Sequence, residues 1–123
     1  MEIRKIKPAF EDERGAIFDI LEEPVEHTGM IRSKKGSVRG NHYHKESTQY
    51  TFVLSGKMEF TTRDAHLSDG PRETAVLLPG DLVVTPPMEA HVMRFLEDTV
   101  FIDLTTKSRR ANGYEGDTVR VQV

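Results

Sequence analysis

The sequence contains no cysteine among its 123 residues. That absence excludes disulfide bonds, thiolate metal sites and cysteine nucleophiles, and it is typical of a reducing compartment. Long hydrophobic runs are absent too, since the longest, at 75–78 and 82–84, are far too short to span a bilayer. The first ten residues lack the apolar core of a secretory signal. We therefore expect a cytoplasmic protein without a membrane segment.

The net charge is only −3, and no basic stripe is present, so nucleic acid is not an expected partner. One short region is basic, however. Lys34, Lys35, Arg39 and Lys45 lie close to two histidines in the sequence. Such a cluster could bind a negatively charged small molecule, and a solvated loop is the alternative interpretation.

Apolar residues recur with a period of two along most of the chain, which predicts strands. The candidate strands cover residues 16–22, 29–33, 48–55, 57–63, 74–78, 82–86, 90–97, 99–106 and 117–123. Turn residues separate them, and no stretch has the pattern of a long amphipathic helix. No internal repeat or linker divides a chain of this length, which is enough for one core. The sequence predicts one all-β domain over residues 1–123, either a sandwich or a barrel.

One candidate strand has an unusually apolar face. Tyr50, Phe52 and Leu54 alternate with the residues of the opposite face and so point to the same side. This face either packs inside the chain or forms a contact between two sheets of a dimer. We favour the dimer, and therefore predict a homodimer.

Two histidines, His42 and His44, stand one residue apart in VRGNHYHKE (38–46). On an extended strand their side chains lie on one side, about 6–7 Å apart, within reach of one metal ion or one ligand. A lone His-x-His pair is weak evidence, but its surroundings strengthen it. Gly36, Gln49 and Gly56 flank the pair at regular spacings, and a second group, Gly80, Pro86 and His91, follows downstream.

In these spacings the sequence resembles the cupin superfamily. The stretch GSVRGNHYHKESTQYTFVLSG (36–56) is similar to the first cupin motif, with Gln49 in place of the usual glutamate. The stretch GDLVVTPPMEAHVMRF (80–95) is similar to the second, with Met88 replacing a glycine and Phe95 an asparagine. The resemblance implies a double-stranded β-helix, the jelly-roll barrel of the cupins, with the histidines facing its interior.

The resemblance also implies that His42, His44 and His91 are metal ligands, with Gln49 as a fourth or as a hydrogen-bond partner of a ligated histidine. Imidazoles with open positions suit Zn, Ni, Cu or Fe(II) without choosing strongly among them. Replacement of glutamate by Gln49 removes a negative charge, so affinity for Mn(II) should fall. Two alternatives are open: His42 and His44 as metal-free bases, and His91 as a buried structural residue.

Three phrases narrow the resemblance further: DERGAIFDILE (12–22), GSVRGNHYHK (36–45) and PPMEAHVM (86–93). They look like cupins that act on nucleotide-activated deoxysugars, namely 3,5-epimerases, 3,4-ketoisomerases and capsular polysaccharide-forming sugar epimerases. This implies proton removal next to a sugar ketone. His42 or His44 would be the base in a metal-free site.

If a metal is bound, Tyr43 or Tyr50 could move the proton instead. Arg39, with Lys34 or Lys35, could bind a diphosphate, since arginine offers it a bidentate fork.

Some features depart from those sugar enzymes. They usually hold the base with an aspartate and use a distant tyrosine as the acid, and neither Asp81 nor Asp103 can be assigned that role from the sequence. A third histidine favours a metal site. A three-histidine dioxygenase and a non-enzymatic binding or sensor cupin are the alternative functions. Residues 107–116 are expected to form either a mobile loop or a lid.

Overall fold

The computed structural model describes all residues from 1 to 123. It contains twelve strands and one short helix. In chain order these are β1 (Glu2–Lys5), β2 (Phe10–Asp12), β3 (Gly15–Ile17), β4 (His27–Ser33), β5 (Val38–His44), β6 (Gln49–Ser55), β7 (Met58–Asp64), β8 (Glu73–Leu77), β9 (Asp81–Thr85), β10 (Glu89–Phe95), β11 (Thr99–Thr105), α1 (Gly113–Asp117) and β12 (Thr118–Arg120).

Ten of the strands form two five-stranded sheets. The first sheet has the order β1-β9-β6-β11-β4, and the second has the order β12-β5-β10-β7-β8. All neighbouring strands are antiparallel. Strands β2 and β3 form a separate hairpin. The two sheets face each other as a jelly-roll barrel, which confirms the predicted fold class. No helix has the length and apolar composition needed to cross a membrane.

The predicted strands between residues 29 and 106 agree with β4 and with β6 to β11, but the alternation pattern missed β1, β2 and β5, and it differs from the structure near the two ends of the chain. The segment 16–22 is strand only as far as Ile17, and 117–123 only over Thr118–Arg120. Beyond Ile17, Ile20 and Leu21 pack against the outside of the first sheet. Alternating apolar residues are compatible with packing on the face of a sheet as well as with hydrogen bonding as a strand within it. The pattern alone therefore predicted too long a strand. Helix α1 was not predicted, because five residues are too few to show a helical period.

The main hydrophobic core fills one half of the barrel interior. Phenylalanine and methionine side chains dominate it, and both sheets contribute. Its buried members are Val53, Met58, Phe60, Leu77, Val83, Met93, Phe95 and Phe101. Polar side chains fill the other half of the barrel interior. The apolar half therefore holds the strands together, and the polar half is available for a functional site.

A second cluster covers the outer face of the first sheet. Tyr50 and Phe52 are 7% and 6% exposed, and the N-terminal segment packs over them through Ile6, Ile20, Leu21 and Val25. The chain itself therefore buries most of the face on which the homodimer prediction was based, and only Leu54 stays exposed. The oligomeric state stays a prediction.

An irregularity in β5 brings two histidines together. His91 of β10 pairs with His42, whereas Val92 pairs with Gly40, so Asn41 is an extra residue in β5. Gly40 and Asn41 both have positive φ values, +92° and +55°. A β-bulge of this kind bends a strand and re-aims the next side chain. Here it places His42 directly opposite His91.

We predict that Gly40→Ala unfolds more easily than Gly36→Ala. Both glycines have a positive φ, which costs an L-residue about 1–2 kcal/mol. A Cβ at Gly40 would lie 2.8 Å from the His91 carbonyl oxygen, whereas one at Gly36 would meet nothing within 4 Å. The clash should raise the loss of unfolding free energy for Gly40→Ala to about 3 kcal/mol or more. Urea denaturation measures both, and equal losses would contradict the bulge argument.

Candidate active site

Three histidines gather in the polar half of the barrel. His42 and His44 come from β5, and their inward direction follows from their two-residue spacing. His91 comes from the neighbouring β10. The ring nitrogens of the three lie within 4.8 Å of one another. The structure therefore brings together the three histidines that the sequence motifs singled out, while their joint action stays a prediction.

Burial of the cluster increases inward. His91 is fully buried and His44 is 3% exposed, while His42 is half-buried and lies towards the opening. The His42 ring centroid is 4.7 Å from that of His91 and 4.9 Å from that of His44. On its other side His91 stacks on the Phe60 ring, with centroids 5.7 Å apart and an angle of 4° between the planes. The apolar core thus fixes the innermost histidine.

The hydrogen-bond partners define where two of the histidines carry their hydrogen. His91 Nδ1 is 3.3 Å from the Glu89 carbonyl oxygen, which can only accept. Thr118 donates its hydroxyl hydrogen to the Tyr114 carbonyl, so its oxygen can accept from His44 Nδ1, 3.3 Å away. His91 therefore carries its hydrogen on Nδ1 and presents a lone pair on Nε2, and His44 does the same when its Nε2 is a ligand rather than the donor to Gln49 Oε1.

These lone pairs fit a metal ion. His91 Nε2 is buried and has no hydrogen-bond partner. His44 Nε2 faces Gln49 Oε1 at 2.9 Å, while the Gln49 amide nitrogen donates to Thr51. Without a metal, His44 Nε2–H donates to Gln49 Oε1 across this contact, and a bound ion would take the place of that hydrogen between the two atoms. His42, His44, His91 and Gln49 thus form a suitable donor set for a divalent transition metal.

All three imidazoles are in an environment that favours the neutral ring. Burial lowers the pKa of His91 to about 3, and His42 and His44 act in the same direction. Burial, followed by His44 and Arg120, lowers the pKa of His42 to about 4. Burial also lowers the pKa of His44, against the contact with Gln49 and the charge of Asp117. Neutral rings are the form that binds a metal or accepts a proton.

Residues 107–117, here called the strap, cross the polar end of the barrel. Tyr114, on α1, places its ring centroid 6.2 Å from that of His42 and 6.0 Å from that of His44. Asp117 fastens the end of the strap, because it accepts hydrogen bonds from the backbone of Glu46 and from Ser47. The structure places this segment next to the histidines, and whether it acts as a mobile loop or as a lid stays a prediction.

Asp117 also lies beside the cluster. Its Oδ2 is 3.8 Å from His44 Nδ1 and the side chain is 6% exposed. Burial acts to raise the pKa of Asp117, but the hydrogen bonds from Ser47 and from the Glu46 backbone outweigh it, so the pKa is lowered. A carboxylate at this place favours hydrogen on His44 Nδ1. Sequence analysis missed this residue, since it lies 73 residues after His44 and in no motif.

The strap brings a second charged contact into the barrel. Arg109 pairs with the carboxylate of Asp103, which is 1% exposed on β11. Burial raises the pKa of Asp103, and the Arg109 charge acts against that rise. The Arg109 guanidinium also lies over the Tyr114 ring, 4.6 Å from its centroid. Asp103, which the sequence left unassigned, therefore belongs to the site.

A cavity of about 320 Å³ connects the histidines to the surface between β4 and β12, the end strands of the two sheets. Its polar lining is mostly basic. The charged and polar residues that line it include His42, Gln49, Asp103, Arg109, Tyr114 and Arg120, together with Arg39 at the rim. Arg39 donates to Ser33 Oγ and to the Arg32 carbonyl.

Other predicted site residues lie elsewhere. Lys34 and Lys35 are exposed in the turn between β4 and β5 and do not line the cavity. Tyr50 is on the opposite face of β6 from Gln49, in the outer cluster, so the structure does not bring it to the histidines. Arg120 lines the cavity where the sequence analysis expected the lysines, and Tyr114 lines it where the sequence analysis expected Tyr50. His27 and His66 lie outside the cluster.

Solved structures of sugar-nucleotide enzymes share this fold. The dTDP-4-dehydrorhamnose 3,5-epimerase from Sulfolobus tokodaii is 27% identical, with a TM-score of 0.74, over 93% of this chain and 71% of that chain. QdtA, a sugar 3,4-ketoisomerase from Thermoanaerobacterium thermosaccharolyticum in complex with TDP, is 19% identical, with a TM-score of 0.77, over 97% of this chain and 86% of that chain.

A third structure matches over a smaller part of its length. The capsular polysaccharide assembling protein CapF from Staphylococcus aureus is 22% identical, with a TM-score of 0.71, over 96% of this chain and 34% of that chain. At these identities CapF and QdtA show the shared fold alone. A comparison with curated proteins finds no match.

One protein-family model matches the part of the chain that runs from within β4 to the end of β11. The family model for the cupin domain matches residues 29–105, more than half of the chain. The matched range contains all three clustered histidines and Gln49. The chain therefore belongs to the cupin family.

Proposed function

We propose that this chain binds a divalent transition metal through His42, His44, His91 and Gln49, and acts on a nucleotide-activated sugar by isomerase or epimerase chemistry. The observation that carries the proposal is one cavity that joins a neutral histidine cluster, a tyrosine and a basic rim. The likeness to sugar-nucleotide epimerases and ketoisomerases, one of them solved with TDP, supports the substrate class.

The rim is suited to a diphosphate. Arg39 is bound only to neutral oxygen atoms, so its charge is available to an anion. Arg120 pairs with the exposed Glu115 at 3.0 and 3.1 Å, a surface contact of small energetic value that a phosphate can replace. A diphosphate held at the rim directs the attached sugar inward, towards the histidines.

The inner end of the cavity is suited to moving a proton. Isomerisation next to a sugar ketone needs a proton acceptor near the carbon and an electrophile near the ketone oxygen. Tyr114 is the tyrosine that lies beside the histidines, and we assign it the proton transfer. The bound metal would supply Lewis-acid polarisation of the ketone. With a metal on His44 Nε2, Asp117 and Thr118 would hold the ring hydrogen on Nδ1, and the strap lies along one side of the cluster.

Metal binding can be measured directly. We expect protein stripped with EDTA to take up about one equivalent of Zn²⁺ or Ni²⁺ in isothermal titration calorimetry, and the His42→Ala, His44→Ala double variant to take up none. Gln49→Glu restores a carboxylate and should raise Mn²⁺ affinity by roughly 10- to 100-fold, the range typical of changes next to a metal. His66→Gln is the control, since His66 is exposed and outside the cluster. Unchanged uptake by the double variant would overturn the metal assignment.

Turnover can be followed with TDP-4-keto-6-deoxyglucose in deuterated water. We expect the protein to catalyse deuterium incorporation next to the ketone, detected by proton NMR. Tyr114→Phe should lower the rate by about 10²- to 10⁴-fold, the usual contribution of a general acid or base. Tyr50→Phe is the matched control, because Tyr50 lies in the outer cluster.

Two results would contradict this assignment. Equal rate losses in the two tyrosine variants would remove the role of Tyr114. Absence of any exchange in metal-loaded protein that still binds TDP would sink the isomerase reaction and favour a binding protein. Oxygen consumption during the same experiment would instead indicate a dioxygenase.

The metal-free protein should become less stable as the pH falls from 6.5 to 4. Unfolded histidines take up protons near pH 6.5, whereas folded His42 and His91 do so only near pH 4 and 3. The unfolded state therefore binds more protons in this window, and acid favours it. Urea midpoints in EDTA should fall less steeply with acid for His91→Gln than for the unaltered protein. Identical pH slopes would show that His91 is not held neutral.

A further inference from the structure

We propose that Asp103 and Arg109 together bind one hydroxyl group of the sugar, and so help to determine which sugars the cavity accepts. This inference rests on the proposed function, since it concerns the sugar of the same ligand. It starts from two polar atoms that the structure leaves without a partner. Asp103 Oδ1 and Arg109 Nε are both buried, and neither has a hydrogen bond.

The ion pair uses only part of the hydrogen-bonding capacity of its two side chains. Arg109 donates from Nη2 to Asp103 Oδ2, which leaves Oδ1 of the same carboxylate and Nε of the same guanidinium free. Asp103 is 1% exposed, and the ring of Tyr114 supports the guanidinium from below. Buried polar groups in folded proteins are nearly always hydrogen-bonded, so two free atoms on one ion pair indicate a place for another group.

The chemistry of the two free atoms selects the group. Oδ1 can only accept a hydrogen bond, and Nε can only donate one. A hydroxyl group does both, because it gives its hydrogen to the carboxylate and accepts from the guanidinium. A phosphate would be repelled by Asp103 and an ammonium by Arg109, whereas an apolar group would leave both atoms unpaired.

The position of the pair agrees with a sugar rather than a phosphate. Arg39 and Arg120 are exposed at the rim of the cavity, where the diphosphate is proposed to bind. Asp103 and Arg109 line the same cavity but are more deeply buried, beside His42 and Tyr114. The pair has no net charge, in contrast to the basic rim. A ligand anchored at the rim therefore presents its hydroxyl groups to Asp103 and Arg109.

The contact would also join two parts of the chain. Asp103 belongs to the barrel, on β11, and Arg109 belongs to the strap. A hydroxyl bound to both adds a bridge between them, next to Tyr114. A sugar without that hydroxyl loses the bridge and leaves two buried atoms unpaired, which is the kind of penalty that gives strong discrimination.

Calorimetric binding of two probes, TDP and dTDP-glucose, tests this inference. The unaltered protein should bind dTDP-glucose more tightly than TDP. Asp103→Asn keeps the shape of the side chain but can replace the free acceptor by a donor. We expect it to weaken dTDP-glucose binding by about 10- to 100-fold, as for loss of a charged hydrogen bond, and TDP binding by less than about twofold.

Arg109→Lys, which keeps the charge but has no Nε–H, should have the same selective effect. It provides an independent test if Asp103→Asn does not fold, which thermal denaturation would reveal. Asp69→Asn, a charge-matched change at an exposed position, should leave both affinities unchanged.

The outcomes separate the two proposals. Equal weakening of both probes, or no weakening of either, would overturn the hydroxyl site while leaving sugar-nucleotide binding intact. A pair that holds only water would give that second result. Failure of the unaltered protein to bind TDP and dTDP-glucose would overturn the proposed function, and the hydroxyl site with it.

Discussion

The close approach of three uncharged imidazoles is the interaction on which the rest of the structure depends. Rings whose nitrogens lie within 4.8 Å of one another cannot all be protonated inside a barrel. Each ring also has to place its hydrogen away from the others. His91 does so towards the Glu89 carbonyl, on its own strand, and His44 towards Gln49 or, with a metal on its Nε2, towards Thr118, next to the strap. The orientation of the cluster is therefore set by the sheet on one side and by the C-terminal residues on the other.

The apolar half of the barrel gives this cluster its rigidity. Most inward-facing strands change from polar to apolar along their length, as β11 does between Asp103 and Phe101 and β10 between His91 and Met93. The stacking of His91 on Phe60 joins the two halves directly. Because a close-packed core transmits small displacements, the innermost histidine has little freedom to turn. His42, nearer the opening, is less constrained by packing and relies on the bulge in β5.

The barrel and its histidines could be predicted from the sequence, whereas the rest of the site could not. His42, His44 and His91 stand in motifs with fixed spacings; strand alternation places the first two on one side, and the resemblance to cupins implied that this side faces the interior. Tyr114 and Asp117 lie in a short helical segment with two glycines and no periodic pattern. Their approach to His44 depends on how the chain returns to β5, which is a long-range contact. The alternation that revealed the face of Tyr50 could not show that residues 6–25 cover it.

The range matched by the family, residues 29–105, omits both ends of the chain. Those ends complete the structure in different ways, since the first shields an apolar sheet face and the last supplies Arg109, Tyr114 and Asp117. The three histidines thus lie inside the range that the cupin model matches, whereas the C-terminal residues beside them lie outside it. Two parts of the chain therefore meet at the opening of the barrel: a recurrent sequence motif supplies the imidazoles, and a segment without a recognisable motif determines what lies next to them.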